Sequence, residues 1–395
     1  MISSKRTIKS LSALFVAISF AFAGNALVVS SMGVILKERE VGEFIIGIIS
    51  ACFFIGASAS TLSAHIFLAK IGHIRAFGLF CAVFAISIIC HSLTQNLILW
   101  ILLRLMLGYC YYGILMSIES WINEKAKNAV RSRVLSFYEI VFYLSFGIGL
   151  LLIGLPFSEN ELFIIAACLI MFSSIPLNVM RIKEPPLPQN STISLPSITN
   201  IAPLALVGSF IAGMVMNGFF ALGSVFGLKQ GFSVSEVSYF MFCAMIGGFL
   251  GQSLIGFISD ALGRKFAIII SAGVALIASC VFLCAPSSII LQCALAMLLG
   301  SGIFCLYSLA LARANDMLSD STKRVELGRS VLFVYSLGSL IAPVLLGALM
   351  ESFGTNGFMG FYVLSLAFLI LFALDKPNKQ SKSPTHNLKN FIPHE

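Results

Sequence analysis

Ionisable side chains are rare in the long apolar runs of this chain, and five in or just beyond them are the natural starting point for chemistry: Arg104, Glu119 and Glu139, with Arg313 and Asp316 at the end of the tenth run. A charged group in hydrocarbon costs roughly 2.5–3.5 kcal/mol on insertion scales, so such groups normally face a cavity or a partner. A carboxyl group whose exposure changes can bind a proton in one setting and release it in another. Glu119 and Glu139 are the candidates for that role, on a cavity or in a gate network; the alternative is an interfacial pair with Arg131 and Arg133. Arg313 and Asp316, three residues apart, share one helical face and can pair. Arg104 faces either a cavity or a partner, or snorkels to the nearby interface.

Other familiar chemistry is missing from the pattern. His65, His73 and His91 fall at the ends of apolar runs and form no HExxH. There is no G-x-x-x-x-G-K-[ST] loop, so nothing in the chain supports ATP-driven work. The ten cysteines all lie within apolar runs and read as small buried hydrophobes rather than metal ligands or a disulfide framework. No cofactor, no metal and no enzymatic activity are therefore expected.

The elements that must position these groups are membrane helices. Of 395 residues, 58% are hydrophobic and 11% charged, against roughly 25% charged in soluble domains. A soluble fold could not cover its surface with so few charges, so lipid must cover it. Twelve apolar runs are expected to span the bilayer, near 10–35, 44–66, 74–94, 97–121, 134–156, 161–180, 202–227, 235–258, 265–285, 288–312, 328–350 and 357–374. Solid apolar runs exclude a β-barrel, whose strands alternate. The first run contains Ala21-Phe22-Ala23, which has the form of a signal-peptidase site, but it continues to about Leu36 and reads as a retained helix.

Charge fixes the expected orientation. Of 25 Lys and Arg residues, 21 fall on the termini and the even-numbered breaks, while Lys37, Arg39 and Lys229 lie on the opposite side. The positive-inside rule then puts both termini in the cytoplasm of a bacterial inner-membrane protein. The net charge of +8 is thus a topology signal and not a nucleic-acid patch. The Pro- and Ser-rich stretch 181–201 reads as a cytoplasmic linker between helical bundles 1–180 and 202–375, with 376–395 a tail.

The two halves repeat each other at an offset of 191 to 193 residues. Asn25 falls on Asn217, Leu36-Lys37 on Leu228-Lys229, Ile55-Gly56 on Ile246-Gly247, Gly72 on Gly263, Leu107-Gly108 on Leu299-Gly300, and Tyr143 on Tyr335. Parallel six-helix repeats are an architecture of secondary transporters. Between the eighth and ninth runs, Gly256, Asp260, Gly263, Arg264 and Lys265 form a G-x-x-x-D-x-x-G-R-K loop. It resembles the signature loop of the major facilitator superfamily. Gly256 is expected to admit a neighbouring helix, Gly263 to make the turn, and Asp260 to accept at a helix amino terminus while Arg264 and Lys265 hold it by charge. The first-half counterpart is degenerate, with Ala69 at the acid position before Lys70, Gly72 and His73. Arg104-Leu-Met-Leu-Gly108 matches a second superfamily motif. Glu119-Ser-Trp-Ile-Asn123 with Tyr138, and Tyr307-Ser-Leu309 with Ala312-Arg-Ala-Asn-Asp316, resemble a YcaD-like branch of bacterial facilitators.

The resemblance implies an all-α fold of two pseudo-symmetric six-helix bundles, a monomer working by alternating access, and a signature loop that latches against Arg131 to Leu135 when the carrier faces outward. It also implies a cavity between helices 1, 4, 7 and 10, which places Asn25, Tyr111, Tyr112, Asn217, Tyr307 and Ser308 there; helices 5 and 11 could add Tyr143 and Tyr335. Asn25 and Asn217 either line that cavity or act as interhelical glue. The expected cargo is a small organic solute, coupled to a proton or another ion. The antiporter glycine–proline pattern is not matched by Gly147, Gly149, Gly154 and Pro156, so direction rests between export, slightly preferred, and nutrient uptake. An intramembrane enzyme or a sensor is the remote alternative.

Overall fold

The computed structural model describes residues 11–125, 131–179, 202–317 and 324–377. The helices of the first half are Ser12–Glu38 (α1), Glu43–Ile71 (α2), His73–Ser92 (α3), Leu97–Lys125 (α4), Arg131–Leu152 (α5) and Glu159–Val179 (α6). Those of the second half are Pro203–Lys229 (α7), Val234–Leu262 (α8), Arg264–Cys284 (α9), Ile289–Ile303 with Leu306–Met317 (α10a and α10b), Arg324–Phe353 (α11) and Thr355–Leu374 (α12). Twelve spans of 19 to 29 residues are long and apolar enough to cross a bilayer. The chain is a multi-pass membrane protein. In lipid, only the helix lets each segment satisfy its own backbone groups.

The tenth span, expected to be continuous, breaks at Phe304–Cys305. The Ser271 hydroxyl on α9 donates to the Gly302 carbonyl at 2.7 Å. A side chain that takes a ladder carbonyl is a recognised cause of a helix break.

Each half packs in the same way. In the first, α1 lies on α5 and α6, α2 on α4, and α3 on α4 and α6; in the second, α7 lies on α11 and α12, α8 on α10a, and α9 on α10a and α12. The tightest crossings repeat as well. A side chain at Gly56 or Gly108 would strike the backbone of Leu105 or Phe53, and one at Gly247 or Gly300 the backbone of Met297 or Ala244. These are the glycines that the repeat alignment superposes. Gly72 and Gly263, with φ of 86° and 90°, turn the chain at corresponding points in each half.

Between the halves, α2 packs on α11, α5 on α8, and α1 on α7, which is the pattern a pseudo-twofold axis requires. Contact is close at the end that carries Glu43. There Gly47 lies against the Pro343 carbonyl, Gly347 against that of Glu43, and Ser235 Oγ donates to the Gly154 carbonyl at 3.2 Å. At the end that carries Gly263, a Cβ at Gly256 or Gly328 would meet nothing within 4 Å. The expected helix approach at Gly256 is therefore not made in this conformation. The linker 181–201 and the tail beyond residue 377 lie outside the described residues.

Candidate functional site

A cavity of about 470 Å³ lies between the bundles and is lined towards the Gly263 end by Thr61, Ser120 and Gln252. Its position follows from the packing: among the described residues, α2–α11 and α5–α8 shut the seam at the Glu43 end. All eight neutral residues singled out by sequence reach it: Asn25, Tyr111, Tyr112, Tyr143, Asn217, Tyr307, Ser308 and Tyr335. So do Glu119 and Glu139. Phenylalanines fill much of the remaining wall, among them Phe22, Phe53, Phe142, Phe220 and Phe304. Phe146 and Phe220 meet across the seam with ring centroids 4.8 Å apart, and Tyr307 and Tyr335 stand 4.6 Å apart.

Glu119 comes from the last third of α4 and Glu139 from the first half of α5. Tyr138 Oη donates to Glu119 Oε1 at 3.1 Å, tying the two helices together. Both carboxylates are exposed to the cavity. Side chains of Arg131 and Arg133, the alternative partners, lie outside the described residues.

The repeat-related asparagines behave differently. Asn217 Nδ2 donates to Tyr335 Oη at 2.9 Å and to Ser339 Oγ at 2.7 Å, so it joins α7 to α11 as well as lining the cavity. Asn25 is 4% exposed, and its Oδ1 is buried without a hydrogen-bond partner. Gln252 on α8 and Ser308 on α10b bond each other at 3.1 Å.

Arg104 does not line the cavity and does not snorkel. It is 2% exposed within the first bundle, with its guanidinium carbon 5.1 Å from the Phe53 ring centroid and Nε and Nη1 unpartnered. The ion pair expected between Arg313 and Asp316 is not formed. Asp316 accepts instead from Arg264 Nε at 3.3 Å, and Arg313 donates to the Pro377 carbonyl at 2.6 Å. Arg264 also donates to Asp260 at 2.8 Å and to Ser259 Oγ at 2.7 Å. Asp260 thus sits in the last turn of α8, held by Arg264 rather than capping a helix amino terminus. Lys265 turns away to the Leu374 carbonyl at 3.0 Å. The signature loop braces α8, α9, α10b and α12 of its own bundle. The cysteine expectation also needs correction: Cys52, Cys81, Cys110 and Cys305 are buried, but Cys168, Cys280 and Cys284 are exposed on α6 and α9, where lipid can cover a thiol.

One cluster was not anticipated. Glu43, at the first turn of α2, is 5% exposed and accepts from Lys37 of α1 and Lys229 of α7, each at 2.7 Å. Glu351 of α11 accepts from the Phe44 backbone N–H at 2.9 Å. The alignment of Lys37 with Lys229 carried the signal, since two matched bases at the shut seam need an anion. The lining phenylalanines had none, being indistinguishable among 35 in the chain.

The family model of the Major Facilitator Superfamily matches residues 14–325 and again 205–393. The chain belongs to the Major Facilitator Superfamily. Curated relatives agree. The uncharacterized MFS-type transporter YcaD of Escherichia fergusonii is 25% identical over 357 residues, covering 88% of this chain and 91% of the relative. An uncharacterized MFS-type transporter of Yersinia pestis is 26% identical over 358 residues, covering 87% and 90%. Among solved structures, a mutant of the nucleoside transporter NupG superposes with a TM-score of 0.76 at 14% identity, covering 93% of this chain and 98% of that one. A bacterial homolog of the human lysosomal transporter Spinster, inward-facing and occupied, gives 0.74 at 14%, covering 95% and 96%. These likenesses establish the superfamily's twelve-helix fold for this facilitator.

Proposed function

We propose that the chain is a secondary active transporter that carries a small organic solute by alternating access, with Glu119 and Glu139 holding the coupling proton. The observation that carries this reading is the cavity at the seam of two repeats, closed at the Glu43 end by described helices and holding two carboxylates. With the Gly263 end in the cytoplasm, as the basic residues argue, the conformation is inward-open. The bundles 1–180 and 202–375, joined by 181–201, rock about the cavity as units. Opening the other end requires the Glu43 cluster to part. Closing this end brings the signature loop of the second bundle towards the start of α5.

A carboxyl group protonated from one side and emptied to the other links the proton gradient to that motion. We read the direction as export against inward proton flow; uptake with protons would use the same parts. Everted vesicles test the reading. Addition of transported solutes releases protons from the acidified lumen of vesicles containing the wild-type protein, and Glu119→Gln and Glu139→Gln abolish that release at normal expression. Unchanged release in both variants clears these residues of coupling and overturns the mechanism.

A further inference from the structure

Building on the transporter reading, we propose that the solute is a lipophilic organic cation, an amine charged at neutral pH on an aromatic or branched apolar body, which exchanges for protons on Glu119 and Glu139. Three observations converge on it. Among the described residues that line the cavity there is no Lys, Arg or His, so its formal charge comes from two carboxylates. Tyr and Phe rings form much of the remaining wall, and their faces attract cations. Asn25 lines the cavity, and its Oδ1 has no hydrogen-bond partner among the described residues.

The alternatives fit less well. An anion would meet two carboxylates and, among the described lining residues, no base. A sugar or other neutral polyol needs a ring of free donors and acceptors. Here Asn217 is committed to Tyr335 and Ser339, Gln252 to Ser308, and Tyr138 to Glu119. An ammonium group supplies what this cavity lacks, a positive charge with N–H donors, while its body occupies the aromatic wall.

The exchange balances. Entry of the ammonium from the Gly263 end leaves a Glu carboxylate paired with it, and the carboxyl proton passes to cavity water. On the other side the ammonium leaves and a proton from that water reprotonates the carboxylate. No bond other than O–H is made or broken, and one positive charge replaces another. Among the described lining residues, Tyr111, Tyr112, Tyr138, Tyr143, Tyr307 and Tyr335 are the other titratable groups facing the pair.

The test uses the purified full chain and three probes that share one body: diphenylpropylamine, diphenylpropanol and diphenylpropionate. Binding is titrated and read also as a ligand-induced rise in melting temperature. The amine is expected to bind at least about tenfold more tightly than the alcohol, with the carboxylate weakest. In the Glu119→Gln, Glu139→Gln double variant the amine falls to the affinity of the alcohol, while the alcohol is unchanged and so reports an intact cavity. Equal binding of amine and alcohol, preference for the carboxylate, or an amine preference that survives in the double variant overturns the proposal. Deuterium uptake over residues 37–47 separates this failure from that of the transporter reading. A chain that opens there but shows no charge preference remains a carrier of something else; one that never opens there is not a carrier.

Discussion

Lys37 and Lys229 occupy equivalent positions at the ends of α1 and α7, and both donate to the same oxygen of Glu43, each at 2.7 Å. Three helices from two bundles are thereby fastened at one carboxylate. Glu43→Gln removes the charge that balances both lysines. The lysines keep 30% and 24% exposure and can turn to water, so the expected cost to the closed seam is about 2 kcal/mol, below the ~3–5 kcal/mol of a fully buried pair. The expected readout is faster deuterium uptake over residues 37–47, with uptake in α3 and α9 unchanged. Equal uptake in variant and wild type removes Glu43 from the gate.

Asn25 and Asn217 should separate under mutation although they are repeat-related. Asn217→Ala breaks bonds to Tyr335 and Ser339 and is expected to cost about 1–1.5 kcal/mol of stability, given the modest strength of interhelical hydrogen bonds in membranes. Asn25→Ala removes an oxygen that has no partner and an amide contact with Tyr111, so the stability cost should stay below that of Asn217→Ala while solute affinity falls several-fold. Melting curves and binding titrations on the two variants check this. Matching losses of stability would contradict the contrast.

Glycines on the seam and in the tight crossings differ in what a side chain would meet. Gly247→Val would drive methyl groups into the Met297 backbone and is expected to cost ~3 kcal/mol or more. Gly256→Val meets open space in the conformation described and should leave the melting temperature unchanged, yet slow transport if that end closes during the cycle. Thermal denaturation followed by vesicle flux distinguishes them; a Gly256→Val protein with wild-type flux shows that no helix approaches there in any state.

In the signature loop, Asp260 is 74% exposed, so its ion pair with Arg264 contributes at most ~1 kcal/mol. Asp260→Asn should therefore leave stability intact. If the loop latches the Gly263 end shut, the variant favours the inward-open state and solute flux declines. Wild-type flux would show that the loop serves only to brace its own bundle.

Much of this was legible in the sequence, for reasons that can be named. The twelve spans follow from apolar length, because lipid leaves the chain few options. The glycine pairs Gly56 with Gly108 and Gly247 with Gly300 were visible as an internal alignment, since backbone contact permits no side chain. What escaped was relational. The partner of Asp316 is Arg264, fifty-two positions away in sequence, and no helical spacing suggests it over Arg313. Arg104 read as a group facing a cavity or a partner, or snorkelling, and nothing in the sequence singled out the phenyl face of Phe53 that it lies over. The break in the tenth span depends on Ser271 in a neighbouring helix, which local periodicity cannot register.

Where the first repeat carries Glu119 and Glu139, the second carries Leu311 and Val331. The duplicated scaffold is even-handed, but its electrostatics are lopsided: all the formal charge found on the described walls belongs to one partner of the rocking couple. A positively charged passenger would ride with that partner through the swing, and the opposite wall would serve it only as a greased bearing.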